Sequence, residues 1–157
     1  MEEAYIKSPV GTLKIKGDEK GISEITFLNE EVPETDVFPE VLEDAIYQLR
    51  EYFEKKRTTF SFPLNFQGTD FQKRVWNALL EIPFGKTTSY LEMAKRLGDP
   101  KVIRAAASAN GKNPISIVIP CHRVIGSDGS LTGYGGGLHR KKWLLEHESP
   151  SAQQSLF

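Results

Sequence analysis

The sequence predicts a small α/β unit followed by a mainly helical unit that carries a helix-turn-helix. Three observations predict this. Short β-prone runs punctuated by turn residues fill residues 4–28 and give way to a segment of helical period. Helix-start signals then recur from Thr69 onward, and a Gly-Asp-Pro break separates two of the helices they open. Charge divides along the chain: residues 1–69 hold 8 Lys+Arg against 14 Asp+Glu, net −6, and residues 70–157 hold 12 against 7, net +5. That division suits a protein in which one module alone meets a polyanion, and equally a solvated surface of uneven charge.

Taken in order, "AYIKSPVGTLKIKGDEKGISEITFL" reads as strands joined by turns at Pro9–Gly11 and Asp18–Gly21. Residues 29–39, with two prolines and many acids, form a loop. Leu42, Ala45, Ile46, Leu49, Tyr52 and Phe53 recur at helical spacing and define an amphipathic helix of about four turns. In "TTFSFPLNFQG" the aromatics alternate, but Pro63 argues against a central strand, so an extended connector and a domain boundary fall here. Thr69 and Gln72 make a capping box for a helix whose apolar face is Phe71, Val75, Trp76 and Leu79, stopped by Pro83. Ser89 and Glu92 make a second box for a short helix with Leu91, Ala94 and Leu97 inward. Gly98-Asp99 breaks the chain, and Pro100 opens a third helix over Lys101–Asn110, completing a helix-turn-helix. An apolar run, Ile115–Pro120, precedes Cys121, and a last helix carries Trp143, Leu144 and Leu145; both tryptophans read as core anchors. The expected domains are 1–67, 68–148 and a tail, 149–157.

Composition narrows the class. The 157 residues suit one ordinary domain or two small ones, and no apolar run approaches the roughly 20 residues of a membrane span. The acidic start "MEEAYIKSPVG" lacks a signal peptide's basic end, which predicts a cytoplasmic protein. A single cysteine excludes an internal disulfide and a Cys-rich zinc cluster. The helix "KVIRAAASANGKN" surrounds Arg104 with small residues: Ala105, Ala106, Ser108 and Ala109, with Lys101 at its start. Small side chains allow close approach to another surface, either the protein's own core or, given the basic flank, a nucleic acid.

Cys121 lies between Pro120 and His122. A free thiol ionises near pH 8.5, so a nucleophilic role needs a nearby base or a lowered pKa. A shift of about 2 units corresponds to roughly 2.7 kcal/mol of favourable environment. His122 is the obvious base, yet neighbours in an extended chain point to opposite sides, so a tight bend or a bridging water is required. Asp128, Glu146 and Glu148 are the nearest acids that can orient the imidazole. Arg123 reads as a substrate clamp or as a structural ion-pair partner. The bland alternative for Cys121 is a buried structural thiol.

"NPISIVIPCHRVIGSDGSLTGYGGG" followed by "WLLEHE" resembles the O6-alkylguanine-DNA alkyltransferase family, and the likeness runs closely from about Gly68 to Glu148, including "FQKRVWNALLEIPFGKTTSY". The resemblance implies an N-terminal α/β domain with a three-stranded antiparallel sheet and a helix, then a mainly α winged-helix-like domain. It implies that Cys121 accepts the alkyl group, that His122 acts through a water, that Glu148 orients His122, and that Asn113 holds the turn joining the helix-turn-helix to the site. Tyr90 would crowd a phosphate of the target nucleotide, Arg104 would fill the stack vacated by the flipped base, and Tyr134 would bond the guanine ring. Backbone groups at Cys121, Val124 and Gly135 would complete the pocket. The implied partner is double-stranded DNA carrying O6-alkylguanine, bound through the minor groove by a monomer, with no cofactor and one turnover per molecule. Gly135 stands where many relatives carry serine, which leaves room for bulkier alkyl groups. Residues 1–69 contain neither cysteine nor histidine, so no zinc is expected.

The tail is a separate signal. Gln153, Leu156 and Phe157 lie in "QQSLF", which resembles the short peptide by which bacterial repair proteins bind the sliding clamp. Two rival functions remain: a non-catalytic DNA-binding sensor of alkylguanine, in whose known examples tryptophan typically replaces the cysteine, and a Cys-His thiol hydrolase.

Overall fold

The computed structural model describes residues 1–131 and 133–149. The chain divides into two compact units, one comprising Met1–Gln67 with Pro114–Ser116 and the other Gly68–Asn113 with the described part of Ile117–Phe157.

In the first unit, β1 (Glu2–Ser8), β2 (Gly11–Asp18) and β3 (Gly21–Phe27) form an antiparallel sheet in the order β1-β2-β3. The register sets Ile6 against Leu13 and Ile15 against Ile25, and all four are buried. Helix α1 (Glu40–Phe53) packs on the three strands through Leu42, Ala45, Ile46, Leu49 and Tyr52, the residues whose spacing predicts it. Phe53, expected inward, is half-buried at the helix end, edge-on to Tyr52. Gln48 is also buried, and its amide bonds both the backbone and the hydroxyl of Ser61, so it pins the connector.

The connector runs extended along β3. The Ile22 N–H donates to the Pro63 carbonyl at 2.9 Å and the Asn65 N–H to the Ile22 carbonyl at 2.7 Å. Pro63 thus offers its carbonyl to the ladder where it has no N–H to give. Gly21 permits this approach: its φ is +140°, and a Cβ there would lie 2.8 Å from the Pro63 oxygen. Further along the same strand, Ile25 pairs likewise with Pro114 and Ser116.

The second unit contains α2 (Asp70–Leu79), the two-residue strand β4 (Thr88–Ser89), α3 (Tyr90–Arg96), α4 (Ile103–Gly111), β5 (Val124–Ile125) and α5 (Leu138–Glu148). Thr69 and Gln72 form the complete capping box of α2, with bonds of 3.1 and 2.9 Å. The second box is only half made. Ser89 accepts the Glu92 N–H, but the Glu92 carboxylate pairs with Lys95 at 3.5 Å instead of reaching back. Helix α4 starts later than its composition suggests. Asp99 caps a 3-10 turn over Pro100–Val102, and α-helical geometry begins at Ile103. Helices α3 and α4 pack on each other, and α2 packs on α4, where the Trp76 indole donates to the Ala109 carbonyl at 2.9 Å.

Burial revises two expectations. Met93 takes the inward position with Ala94, leaving Leu91 and Leu97 half-buried. Trp143 is half-buried and stacks on His147 at 4.8 Å, so only Trp76 is a core anchor. The apolar run Ile115–Pro120 turns instead of extending, and Ile117 adopts φ 74°. A β-branched residue in the left-handed region is strained, and such strain persists only where surrounding contacts enforce it.

Candidate active site

Cys121 opens a 3-10 turn, Cys121–Arg123, at the end of that folded-back run. The turn is closed by the Cys121 N–H on the Ile119 carbonyl at 2.8 Å and the Arg123 N–H on the Pro120 carbonyl at 3.0 Å. This supplies the tight bend that an adjacent Cys-His pair needs. Asn113 braces it: its amide nitrogen lies 2.7 Å from the Ile119 carbonyl and 3.1 Å from the Cys121 sulfur. Asn110 donates to the Cys121 carbonyl at 3.4 Å.

His122 is fully buried, the one buried histidine of the three in the chain. Its Nε2 lies 2.8 Å from Glu148 Oε2, at the end of α5. Of the three nearest acids, Glu148 therefore faces the imidazole, while Asp128 accepts the Ser130 N–H in its own turn and Glu146 faces Lys142. Arg123 is buried too. Its Nε and Nη2 grip the two oxygens of Glu148 at 2.7 and 3.0 Å, and Nη1 donates to the Ile82 carbonyl at 2.6 Å. Arg123 is thus an ion-pair partner, and the clamp reading falls away.

The electrostatics follow from burial. Removal from water pushes the Cys121 thiol up from its ordinary 9.0, opposed by the Asn113 amide, the Lys141 ammonium, a backbone N–H and the Tyr134 hydroxyl. Of the two routes to a nucleophile, a nearby base or a lowered pKa, the resting site does not take the second, because desolvating a thiolate costs more than these partners return. Burial lowers His122 below 6.5; Glu148 opposes this, and the positive charges of Arg123 and Lys141 add to it. For Glu148, burial alone would raise the pKa, but the bonds from His122 and Arg123 bring it down to about 2. The resting groups are therefore a thiol, a neutral imidazole and a carboxylate.

Lys141 is a functional candidate that sequence reasoning misses. It is wholly buried on α5, donates to the Val124 carbonyl at 2.6 Å and lies 5.8 Å from the Tyr90 ring centroid. In the run His139-Arg140-Lys141-Lys142 it reads as one more solvated charge. Its neighbour Arg140, also buried, donates to the Gly136 carbonyl and steadies the glycine loop.

A cavity of about 550 Å³ is lined by Tyr90, Arg104, Ala107, Gly111, Tyr134 and Gly135 among others. It shares Tyr134 with the hydrogen-bond set of the thiol. The Tyr90 hydroxyl donates to the Gly133 carbonyl at 3.4 Å. At Gly135 a Cβ would meet only the Gly111 carbonyl, at 3.3 Å, so this wall is widened by the missing side chain. Arg104, Ala105 and Ser108 on α4 are exposed, as is Lys101 in the 3-10 turn before it. Ala106 and Ala109, expected on the same outer surface, are 1% and 3% exposed and face the protein's own interior. The α-helical period places them on the side that packs against the other helices. Gln153, Leu156 and Phe157 lie outside the described residues. Among those described, no group of His, Cys, Asp and Glu is arranged to hold a metal ion, and no helix is long and apolar enough to cross a membrane.

Comparison with known proteins bears on the same residues. Residues 1–66 match the ribonuclease-like domain of 6-O-methylguanine DNA methyltransferase, and residues 70–150 match its DNA-binding domain. A methylated-DNA–protein-cysteine methyltransferase of Methanosarcina acetivorans is 46% identical, over 94% of this chain and 98% of the relative. One from Mycobacterium bovis is also 46% identical, over 96% and 94%. The crystal structure of Mycobacterium tuberculosis OGT in complex with DNA superposes with a TM-score of 0.83 at 44% identity, covering 98% of each chain. With both halves matched and the identity sustained over nearly the whole length, the chain belongs to the 6-O-methylguanine DNA methyltransferase family.

Proposed function

We propose that this protein repairs DNA by moving the alkyl group of O6-alkylguanine onto its own Cys121, once per molecule. The observation that carries this reading is the pose of Cys121: a buried thiol in a tight turn, with the Asn113 amide on its sulfur and a His122–Glu148 pair at the next residue. A structural core cysteine needs none of these.

The sulfur attacks the alkyl carbon as the bond from that carbon to guanine O6 breaks. The thiol proton passes to His122 through a water, and Glu148 stabilises the imidazolium that forms. The electrons of the broken bond go to the guanine, which is protonated from the Tyr134 hydroxyl or through solvent. The product thioether has no easy leaving group, so the protein is consumed.

A base within a stacked duplex is out of reach, so the target nucleotide must be extruded, at a cost of a few kcal/mol. Arg104, exposed at the rim of the cavity, suits the vacated stack, and Tyr90 and Gly135 line the space into which the base would turn. The exposed Lys101, Ala105 and Ser108 present a small, basic face to the minor groove. The DNA-bound relative supports DNA as the partner.

The test is intact mass after incubation with O6-benzylguanine. We expect one benzyl adduct per chain, abolished by Cys121→Ser. Repeated release of product would instead indicate a hydrolase, and DNA binding without any adduct a sensor.

A further inference from the structure

Glu148 serves two partners at once. One oxygen meets Arg123 Nε at 2.7 Å; the other meets both His122 Nε2, at 2.8 Å, and Arg123 Nη2, at 3.0 Å. The guanidinium is not a mobile surface charge: Arg123 is 6% exposed, its third arm is fixed on the Ile82 carbonyl, and its carbon sits 5.9 Å from the Phe84 ring centroid. Burial favours the neutral imidazole, and a facing carboxylate works against it by favouring a second proton on the ring. Here the fork of Arg123 already balances that negative charge. A proton added to His122 would face Arg123 and Lys141 as well as Glu148, and beside it stands an uncharged thiol.

The atoms of the imidazole agree with this. Nε2 faces Glu148, which as a carboxylate can only accept, so Nε2 carries the hydrogen. Nδ1 is buried and has no protein partner among the described residues, which leaves its lone pair open.

We infer that Arg123 is a positioning residue for the transfer: by gripping both oxygens of Glu148 it holds His122 as a neutral, Nε2-protonated base with Nδ1 ready for the Cys121 proton. This rests on the proposed function. The proton balance is that given above: the thiol proton goes to Nδ1, the sulfur–carbon bond forms, and the carbon–oxygen bond to guanine breaks. Arg123 exchanges no proton and touches no reacting atom.

Two measurements on the full chain test it. In the wild-type protein, nitrogen NMR of labelled histidine should show His122 neutral, with hydrogen on Nε2, at pH 7; an imidazolium signal there overturns the inference. The pH dependence of benzyl transfer from O6-benzylguanine is then compared among variants. Arg123→Met should move the acid limb upward by about one pH unit, a roughly tenfold loss of rate on that limb. Arg123→Lys, which keeps the charge but not the fork, should fall between. The double variant Arg123→Met, Glu148→Gln removes both charges and should bring the limb back towards the wild type. An unmoved limb in a folded Arg123→Met overturns the inference while the transfer reading stands. If the wild type gains no adduct at all, the transfer reading fails and takes this role with it. Should the single variant not fold, the wild-type tautomer and the double variant still decide.

Discussion

At the residue scale, the reactivity of Cys121 is a contest between burial and four local partners, and burial wins in the resting protein. The thiol is therefore kept protonated until a base draws the proton away. Lys141 is the partner whose effect can be isolated. Its ammonium is buried, favours the thiolate through charge, and is fixed by the Val124 carbonyl. Lys141→Met should raise the thiol further and slow benzyl transfer at pH 7 by about tenfold for each unit of that rise. Lys141→Arg, which keeps the charge, should lose less. Stopped-flow rates against pH would read this directly, and an unchanged profile in Lys141→Met would remove the lysine from the site's electrostatics.

At the scale of the element, α4 presents two faces with opposite requirements. Ala106 and Ala109 are packed inward, and the Ala109 carbonyl takes the Trp76 indole, whereas Arg104, Ala105 and Ser108 face outward. Alanine suits both faces for different reasons: inward it allows close helix packing, and outward, in the proposed complex, it would leave the groove of a duplex unobstructed. Ala105→Glu should keep the melting temperature within a few degrees and weaken duplex binding at least tenfold, through repulsion of phosphate. Ala109→Glu should bury an unpaired carboxylate and cost several kcal/mol of stability, visible as a large fall in Tm by circular dichroism. Equal loss of stability from the two would refute the assignment of faces.

At the scale of the whole molecule, the buried site ties stability to pH. His122 stays neutral when folded but takes a proton below about 6.5 when unfolded, so stability falls as pH drops through that value. Glu148, held at about 2 against an ordinary 4.5, contributes stability that is complete above 4.5 and lost towards 2. Cys121 works in the opposite direction. The unfolded thiol ionises near 9.0 while the folded one resists, so stability falls as pH rises past 9.0. Lys141, lowered from 10.5 by burial, works against that loss: the folded ammonium gives up its proton before the unfolded one, so the cost of burying its charge is relieved as pH rises towards 10.5. Calorimetric Tm should therefore form a plateau between about pH 6.5 and 9 with losses on both sides. Cys121→Ser should flatten the onset of the alkaline loss, and an identical alkaline limb would exclude the buried thiol as its source.

What the sequence determined by itself was local or motif-borne. Strand turns, the helical period of α1 and the Thr69 capping box depend on residues within a few positions of one another, and all are present as read. The Cys-His site was legible because its neighbours form an unusual string. Spacing left Glu148, Asp128 and Glu146 open and only the family resemblance favoured Glu148; its contact with His122, the ion-pair role of Arg123, burial of Lys141 and the left-handed turn at Ile117 were decided by the tertiary structure. Each depends on which distant backbone or charge a side chain meets once solvent is excluded. The same cause chose between a nearby base and a lowered pKa for the thiol, since desolvation is a property of the folded surroundings and of no residue by itself.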